Sequence, residues 1–303
     1  MRYSYFFVVC FTFLMPGCHS EKTEWSPYNT QLLFMSGRDG NAELYVTTGT
    51  DSQWVNLTNN SAGDNWGVWS PDGKKIVFQS NRGGNLDIWT MNADGSNPVQ
   101  LTDNPAHDYL PEWTPDGKKI SFTSWRVEEG DDEPSPHIYI MNSDGTNQRR
   151  LVPESLKTSS GASWHPDEKS FVFSRKVAEK GADIFVASET GEIVRQLTAD
   201  TVYNGAAVYS PDGSHIAYYA DNGKSSDIFM MQADGMTKQK LTTGGQNWYP
   251  RWSPDGKWIV YTVAVPGTEQ KDLDIYALPV LHPEQIIKLV ERSGRDQEGM
   301  WRN

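Results

Sequence analysis

A repeat of 43 to 51 residues runs through this chain and limits the folds that it can adopt. Each unit carries a motif led by an aromatic residue, such as WSPDGKKIVF from Trp69 and WSPDGKWIVY from Trp252. The aromatic leaders are Trp25, Trp69, Trp113, Trp164, Tyr209, Trp252 and Trp301. Regular self-similarity at this period is typical of propellers and solenoid arrays, in which each repeat is one supersecondary unit.

Each unit predicts four short strands. The first strand ends at the aromatic leader, and SPDG then suits a type I turn, since Pro fits its second position and Gly its fourth. The second and third strands are apolar on both faces, as in KKIVFQS and DIWTMNA. Such strands suit a sheet that packs between two neighbouring sheets. A DG pair predicts the tight turn into the fourth strand, which ends at LT or its equivalent.

The segment 69–102, WSPDGKKIVFQSNRGGNLDIWTMNADGSNPVQLT, resembles the TolB-like propeller repeat, a relative of the WD repeat. The resemblance covers about residues 25–303 and implies an all-β, six-bladed β-propeller with four-stranded blades. It also implies a non-catalytic, protein-binding role. TolB carries a separate N-terminal α/β domain, and here only a few residues lie between Cys18 and the first repeat. We therefore expect a stand-alone propeller.

The two ends of the repeat array predict how the ring closes. The first unit supplies QLLFMS, AELYVTT and SQWVNLT for three strands, but few residues precede them. The C-terminal SGRDQEGMWRN looks like a first strand with nothing after it. We expect Arg295–Trp301 to complete the first blade, because closure removes open sheet edges. Trp25 and Trp301 compete for one position in that blade, and we favour Trp301.

The N-terminus reads as an export signal with a lipidation site. Arg2 precedes the apolar stretch Phe6–Met15, which has the length of a signal core. Gly17 and Cys18 resemble the lipobox of bacterial lipoproteins, which implies lipidation of Cys18. The predicted organisation is a signal peptide at 1–17, a lipidated tether at 18–30 and the propeller at 31–303. We expect the periplasmic side of the outer membrane, with membrane contact through the lipid anchor only.

Composition and missing motifs restrict the chemistry. The net charge of −12 argues against a nucleic-acid partner. Cys10 and Cys18 are the two cysteines, so the mature domain forms no internal disulfide. GxSxG, HExxH and paired CxxC motifs are absent. We predict no catalytic residues, no metal site and no cofactor. A channel cation such as calcium would suit oxygen ligands, but nothing in the sequence supports one.

Candidate binding residues lie where the first strands begin, which is also the end of the propeller that carries the long insertions 125–136 and 263–273. The position five residues before each leader is polar: Asp64, Asp108, Ser159, Asn204, Asn247 and Asp296. These side chains either cap backbone groups of the local turn or bind a ligand at the channel mouth. The aromatic residues Trp66, Tyr109, Trp248 and Tyr249 lie nearby and either pack under the loops or form a binding platform.

Basic residues stand at the ends of several second strands. Arg38, Arg82, Arg126 and the Arg175–Lys176 pair face acidic residues that open the third strands, namely Glu43, Asp87, Asp183, Asp227 and Asp274. We expect ion pairs within or between blades, and a collar that recognises carboxylates is the alternative.

The function predicted from the sequence is a lipid-anchored periplasmic propeller that binds an envelope protein or peptide without catalysis. The alternative is a propeller that binds or cleaves carbohydrate at the channel mouth, with or without a metal.

Overall fold

The computed structural model describes residues 26–27, 29–48, 54–129, 134–153, 159–178, 181–264, 272–290 and 295–302. These residues form twenty-four strands arranged in repeated four-stranded antiparallel units. In the described ranges, no helix reaches the length and apolarity that crossing a bilayer requires. Trp25 and the whole signal and lipidation region, including Cys18, lie outside the described residues.

The strands of the first three units follow the predicted order. The first unit contains β1 (Gln31–Ser36), β2 (Glu43–Thr48) and β3 (Trp54–Asn56). The second contains β4 (Asp64–Trp69), β5 (Lys75–Ser80), β6 (Asp87–Asn92) and β7 (Val99–Gln100). The third contains β8 (Asp108–Trp113), β9 (Lys119–Ser124), β10 (His137–Asn142) and β11 (Arg149–Arg150).

The remaining units repeat this pattern, and the last strand belongs to the first unit. The fourth unit contains β12 (Ser159–Trp164), β13 (Ser170–Ala178), β14 (Gly181–Ser188) and β15 (Ile193–Gln196). The fifth contains β16 (Tyr203–Tyr209), β17 (His215–Asp221), β18 (Ser226–Gln232) and β19 (Gln239–Lys240). The sixth contains β20 (Asn247–Trp252), β21 (Trp258–Ala264), β22 (Leu273–Pro279) and β23 (Ile287–Lys288), and β24 (Asp296–Trp301) ends the chain.

The C-terminal strand completes the first unit, as the sequence predicts. β24 pairs antiparallel with β1, in the order β24-β1-β2-β3, and Leu32 lies opposite Trp301. The Trp301 side chain is 1% exposed and packs against Leu32, Phe34, Val260 and Ile275. The first strand of this unit therefore comes from the opposite end of the chain.

The strands do not form six separate sheets, so the prediction of six four-stranded blades is confirmed only in part. Four units form separate four-stranded sheets, but the fourth and fifth share one eight-stranded sheet. The merger rests on one parallel pair, Ala182 with Tyr203. Gly181 permits the close approach, because a Cβ there would lie 2.9 Å from the Val202 carbonyl oxygen. Similar parallel bridges join Ser226 to Gln246 and Leu273 to Arg295.

The units surround a central channel. Their inner strands contact one another in the cyclic order β24, β4, β8, β12, β16, β20 and back to β24. Apolar cores lie between successive units; for example, Leu33 and Leu44 of the first unit share a cluster with Trp69 and Phe78 of the second. The described chain is therefore an all-β propeller whose inner strands line the channel.

The repeated motifs have identifiable roles in this packing. The leader Trp113 donates its indole N–H to the Val68 carbonyl oxygen of the preceding unit at 3.2 Å. In the LT motif, the Thr102 hydroxyl accepts the Ile88 N–H at 2.9 Å and donates to Asp87 at 3.2 Å. Gly95 of the DG turn has a φ of +85°, and a Cβ there would lie 2.5 Å from the Leu57 carbonyl oxygen. The motifs thus join neighbouring units as well as forming turns.

Candidate functional site

Every inner strand contains the same backbone irregularity. Its third residue, or the fourth in β16, has a positive φ, between 48° and 64°, at Trp66, Leu110, Gly161, Ala206, Tyr249 and Glu298. The pairing register shifts at this point in each unit, as in a β-bulge. Five of the six are not glycine, although φ above zero is unusual for them. The bulges re-aim backbone and side chains where the strands meet the channel.

Several bulge N–H groups donate to side chains of the preceding unit. Leu110 donates its N–H to Gln79 Oε1 at 2.9 Å, and Gly161 donates to Thr123 Oγ1 at 3.1 Å. In the first unit the equivalent strand position is Met35, whose thioether is a weak acceptor. Trp66 instead donates its N–H to Glu298 Oε2 at 2.7 Å. Glu298 thus supplies the acceptor that Met35 does not.

Glu298 is a buried carboxyl group beside the channel. Its side chain is 8% exposed, and burial raises its pKa from 4.5 to about 7, against the opposing effects of the Trp66 N–H and of Arg251. The folded protein therefore holds a proton on Glu298 across a pH range in which the unfolded chain does not. Stability contributed by this group falls as pH rises from about 4.5 to 7.

Replacing Glu298 with Gln should remove this pH dependence. The glutamine keeps an oxygen acceptor for the Trp66 N–H but cannot ionise. We expect the stability of Glu298→Gln relative to wild type to rise by up to about 3 kcal/mol between pH 5 and pH 8. Urea unfolding of both proteins at the two pH values measures it. A stability difference that is the same at both pH values would contradict the assignment.

A cavity of about 370 Å³ lies in the channel at the end where the inner strands begin. We call it the mouth cavity. Its walls carry the aromatic side chains of Trp66, Tyr109, Tyr203, Tyr219 and Tyr249, and Glu112 and Arg251 are its charged residues. These residues come from the second, third, fifth and sixth units, so the cavity draws on much of the ring. A concave, mostly apolar space with a few polar groups is the common form of a ligand site.

The aromatic rings contact one another around the cavity. Trp66 meets Tyr249 edge to face at 4.9 Å between ring centroids, and Tyr249 meets Tyr219 at 6.0 Å in the same manner. Tyr219 stacks on Tyr203 at 5.9 Å. Burial raises the pKa of Tyr249 to about 12 and also raises the pKa of Tyr203. The tyrosines are therefore neutral hydrogen-bonding groups at physiological pH.

An ion pair crosses the channel below these rings. Arg251 Nη1 lies 2.7 Å from Glu112 Oε2, and the two side chains are 20% and 16% exposed. Both residues also line a second cavity of about 280 Å³, which reaches the SPDG turns at Pro71 and Pro211 on the opposite face. The pair therefore stands between the mouth cavity and the far end of the channel.

A double-mutant cycle measures this ion pair. We expect Glu112→Gln and Arg251→Met to show a coupling of about 1–3 kcal/mol, because each single variant leaves a half-buried charged group unpaired. The double variant Glu112→Gln/Arg251→Met should be more stable than the sum of the single effects predicts. Chemical denaturation of the four proteins gives the coupling, and additive effects would show that the pair contributes nothing.

Most of the polar residues predicted to converge at the channel mouth are buried, and several of them bind other residues of their own unit. Asp64, Asp108 and Asp296 are fully buried, and Asn204 and Asn247 are 1% and 6% exposed. Asp64 pairs with Arg82 at 2.8 Å, Asp108 with Arg126 at 2.6 Å, and Asp296 with Arg38 at 3.1 Å. Asn247 donates to the Ser226 carbonyl oxygen at 3.2 Å, and Ser159 begins β12 opposite Arg175. These contacts are ion pairs and hydrogen bonds within or between units, and ligand binding by these residues stays a prediction.

Three of the arginines form ion pairs within their own units, as expected, but with partners on the inner strands. Arg38, Arg82 and Arg126 bind inner-strand carboxylates and not the acidic residues that open the third strands. Arg38 also lies over the Trp54 ring, with 3.5 Å from its guanidinium carbon to the ring centroid. The acidic residues of the third strands bind their own fourth-strand region instead: Asp183 accepts from Gln196 at 2.9 Å, and Lys288 pairs with Asp274 at 2.8 Å.

Other candidate residues have mixed outcomes. Trp66, Tyr109 and Tyr249 line the mouth cavity, whereas Trp248 does not. Parts of both long insertions, 130–133 and 265–271, lie outside the described residues. Among the described residues, no cluster of three or more His, Cys, Asp or Glu side chains could hold a metal ion.

Sequence reasoning missed Tyr203, Tyr219, Glu112, Arg251 and Glu298. A signal existed for the ion pair, because Glu112 and Arg251 each stand immediately before an aromatic leader. They occupy the same repeat position in the third and sixth units, which face each other across the ring.

Sequence comparisons agree with this architecture. The family model for the TolB beta propeller domain matches residues 17–99, 69–181 and 132–281. An uncharacterised protein of Agrobacterium fabrum is 28% identical over 168 residues, which is 54% of this chain and 53% of that protein. The Tol-Pal system protein TolB of Anaeromyxobacter sp. is 30% identical over 106 residues, 35% of this chain and 24% of that protein. The matched segments thus span about half or less of these relatives.

Solved structures share the fold at low sequence identity. TolB from Acinetobacter baumannii superposes with a TM-score of 0.77 at 19% identity, over 91% of this chain and 67% of that chain. An oligogalacturonate lyase from Vibrio parahaemolyticus superposes with a TM-score of 0.60 at 17% identity, over 88% and 76%. Structures with different activities thus share this architecture, so the fold alone does not assign a function. On the family model that covers most of its length, the chain belongs to the TolB β-propeller domain family.

Proposed function

We propose that this chain is a six-bladed propeller that acts as a non-catalytic, protein- or peptide-binding module of the bacterial cell envelope. Six blades follow if each half of the eight-stranded sheet counts as one, in agreement with the cyclic contacts of the inner strands. The name of the related Tol-Pal system protein supports the envelope assignment. The N-terminal pattern that ends at Cys18 supports export and lipid anchoring on the periplasmic side of the outer membrane.

The observation that carries the proposal is the aromatic wall of the mouth cavity. Trp and Tyr are enriched among the residues that dominate binding energy at protein interfaces. They present large apolar areas with a polar end and lose little conformational freedom on binding. Tyr203 is 40% exposed and Tyr109 is half-buried, so a partner can reach both.

The long insertion of the third unit also meets this cavity. Trp125 is 40% exposed and donates its indole N–H to the Tyr109 hydroxyl at 3.1 Å. Long loops on a rigid scaffold are common places for recognition. A peptide that enters the cavity would therefore contact the start of this loop as well as the rings, and the opposite face offers mainly short turns.

A pull-down from solubilised envelope tests the proposal. The bait is the soluble domain 19–303, as wild type, as Tyr109→Ala/Tyr203→Ala, and as Leu281→Ala/Met236→Ala. The last variant removes two apolar side chains, 86% and 65% exposed, on the opposite face. We expect a partner that is enriched by wild type and by the opposite-face control but lost with the cavity variant. Equal enrichment by all three baits would place binding elsewhere and contradict the proposal.

A further inference from the structure

We propose that the peptide ligand of the mouth cavity inserts a lysine or arginine side chain, which the aromatic rings enclose and the Glu112 carboxylate binds. This inference rests on the proposed function and names the chemistry of its ligand. It follows from the walls of the cavity, from the charges at its floor and from the charge of the whole chain.

The walls favour a cation. The face of an aromatic ring carries negative potential, and an ammonium or guanidinium group within about 6 Å of a ring centroid is attracted to it. Trp66, Tyr109, Tyr203, Tyr219 and Tyr249 bring such rings together in one space. The same chain already holds guanidinium groups in this way: Arg82 lies 5.0 Å from the Trp89 ring centroid, and Arg126 lies 5.3 Å from that of Tyr139.

The charged residues that line the cavity are one carboxylate and one guanidinium. Glu112 and Arg251 form an ion pair at its floor. Arg251 takes one oxygen of Glu112, Oε2, and no described residue donates to Oε1. The Glu112 side chain is 16% exposed and lines the mouth cavity, so an entering donor can approach its carboxylate. A ligand cation would bind this carboxylate, whereas a ligand anion would compete with Glu112 for the single guanidinium.

The negative net charge of the whole protein also favours a cationic ligand. The net charge of −12 attracts cationic segments over distances of about a Debye length, roughly 8 Å at physiological ionic strength. An acidic domain with an aromatic cavity thus discriminates against acidic peptides before contact and selects a basic side chain inside the cavity.

Random twelve-residue peptides displayed on phage, selected against domain 19–303, provide the test. The enriched peptide is then synthesised with Lys replaced by norleucine or Arg by citrulline, which keeps the shape and removes the charge. We expect this replacement to weaken binding to wild type about 10- to 100-fold by calorimetry. Against Glu112→Gln/Arg251→Met, which removes both floor charges together, the same replacement should cost clearly less. Thermal melting verifies that this variant is folded.

The outcomes separate this inference from the proposed function. One outcome is a set of peptides that need Tyr109 and Tyr203 but bind equally well with norleucine or citrulline. Such peptides would contradict the binding of a cationic side chain but would be consistent with the binding site itself. Peptides that bind Tyr109→Ala/Tyr203→Ala as tightly as wild type would overturn the site itself. Failure to enrich any peptide would count against both.

Discussion

A chain that ends before Arg295 is expected to lose the closed ring and to aggregate. The truncation removes β24, leaves β1 as an open sheet edge and exposes the core between the sixth and first units. Trp301→Ala alone should cost about 3–5 kcal/mol of the free energy of unfolding, because its side chain is almost fully buried. This is a large share of the roughly 5–15 kcal/mol by which natural domains are stable.

Urea unfolding followed by tryptophan fluorescence measures the Trp301 effect, and size-exclusion chromatography reports the state of the truncated chain. Leu281→Ala is the control, because that side chain is 86% exposed and should contribute little. A truncated chain that remains monomeric with wild-type stability would show that β24 does not close the ring.

Asp64→Ala is expected to destabilise the protein by about 3–5 kcal/mol, because it leaves Arg82 unpaired in a largely buried position. Asp64 also accepts the Asn60 side-chain N–H at 2.6 Å, so that donor loses its partner too. Asp64→Ala/Arg82→Met should recover part of the loss, because it removes both charges.

Asn204→Ala is the matched control at the equivalent position of the fifth unit. Asn204 binds Asp200 and the Ala182 carbonyl oxygen and has no arginine partner among the described residues. Its loss should cost less, about 1–3 kcal/mol. Chemical denaturation of wild type, Asp64→Ala, Asp64→Ala/Arg82→Met and Asn204→Ala measures these differences in the free energy of unfolding. Equal effects of Asp64→Ala and Asn204→Ala would show that the ion pair has no special role.

The fold could be predicted because the residues that form the turns and the contacts between units recur in most of the repeats. The SPDG and DG turns, the Leu-Thr pair and the aromatic leader each form an equivalent contact in several units, so their spacing predicts strands and turns together. The unpaired leader Trp301 predicted ring closure for the same reason. The shared sheet of the fourth and fifth units was not predictable, since it depends on one local pair, Ala182 with Tyr203.

The site was only partly predictable, because it is built from positions that differ between units. Tyr203 begins an inner strand, Tyr249 lies at a bulge, and Tyr219 comes from a second strand. No single repeat position contains all three. The contacts of Asp64 were not predictable for another reason: a polar residue at a strand entrance can face the channel or its own unit. Arg82, which donates to the Asp64 carboxylate within the same unit, stands eighteen residues later in the sequence.

Site-specific photo-crosslinking tests the central claim, that the mouth cavity binds a protein partner, most directly. A benzophenone amino acid replaces Tyr203 in the cavity wall or, as the control, Leu281 on the opposite face, in the full-length protein in its native host. The account predicts a discrete crosslinked product, identifiable by mass spectrometry, from position 203 and none from position 281. It also predicts that the position 203 product is lost when Tyr109→Ala is added. A product from position 281 without one from position 203 would contradict it.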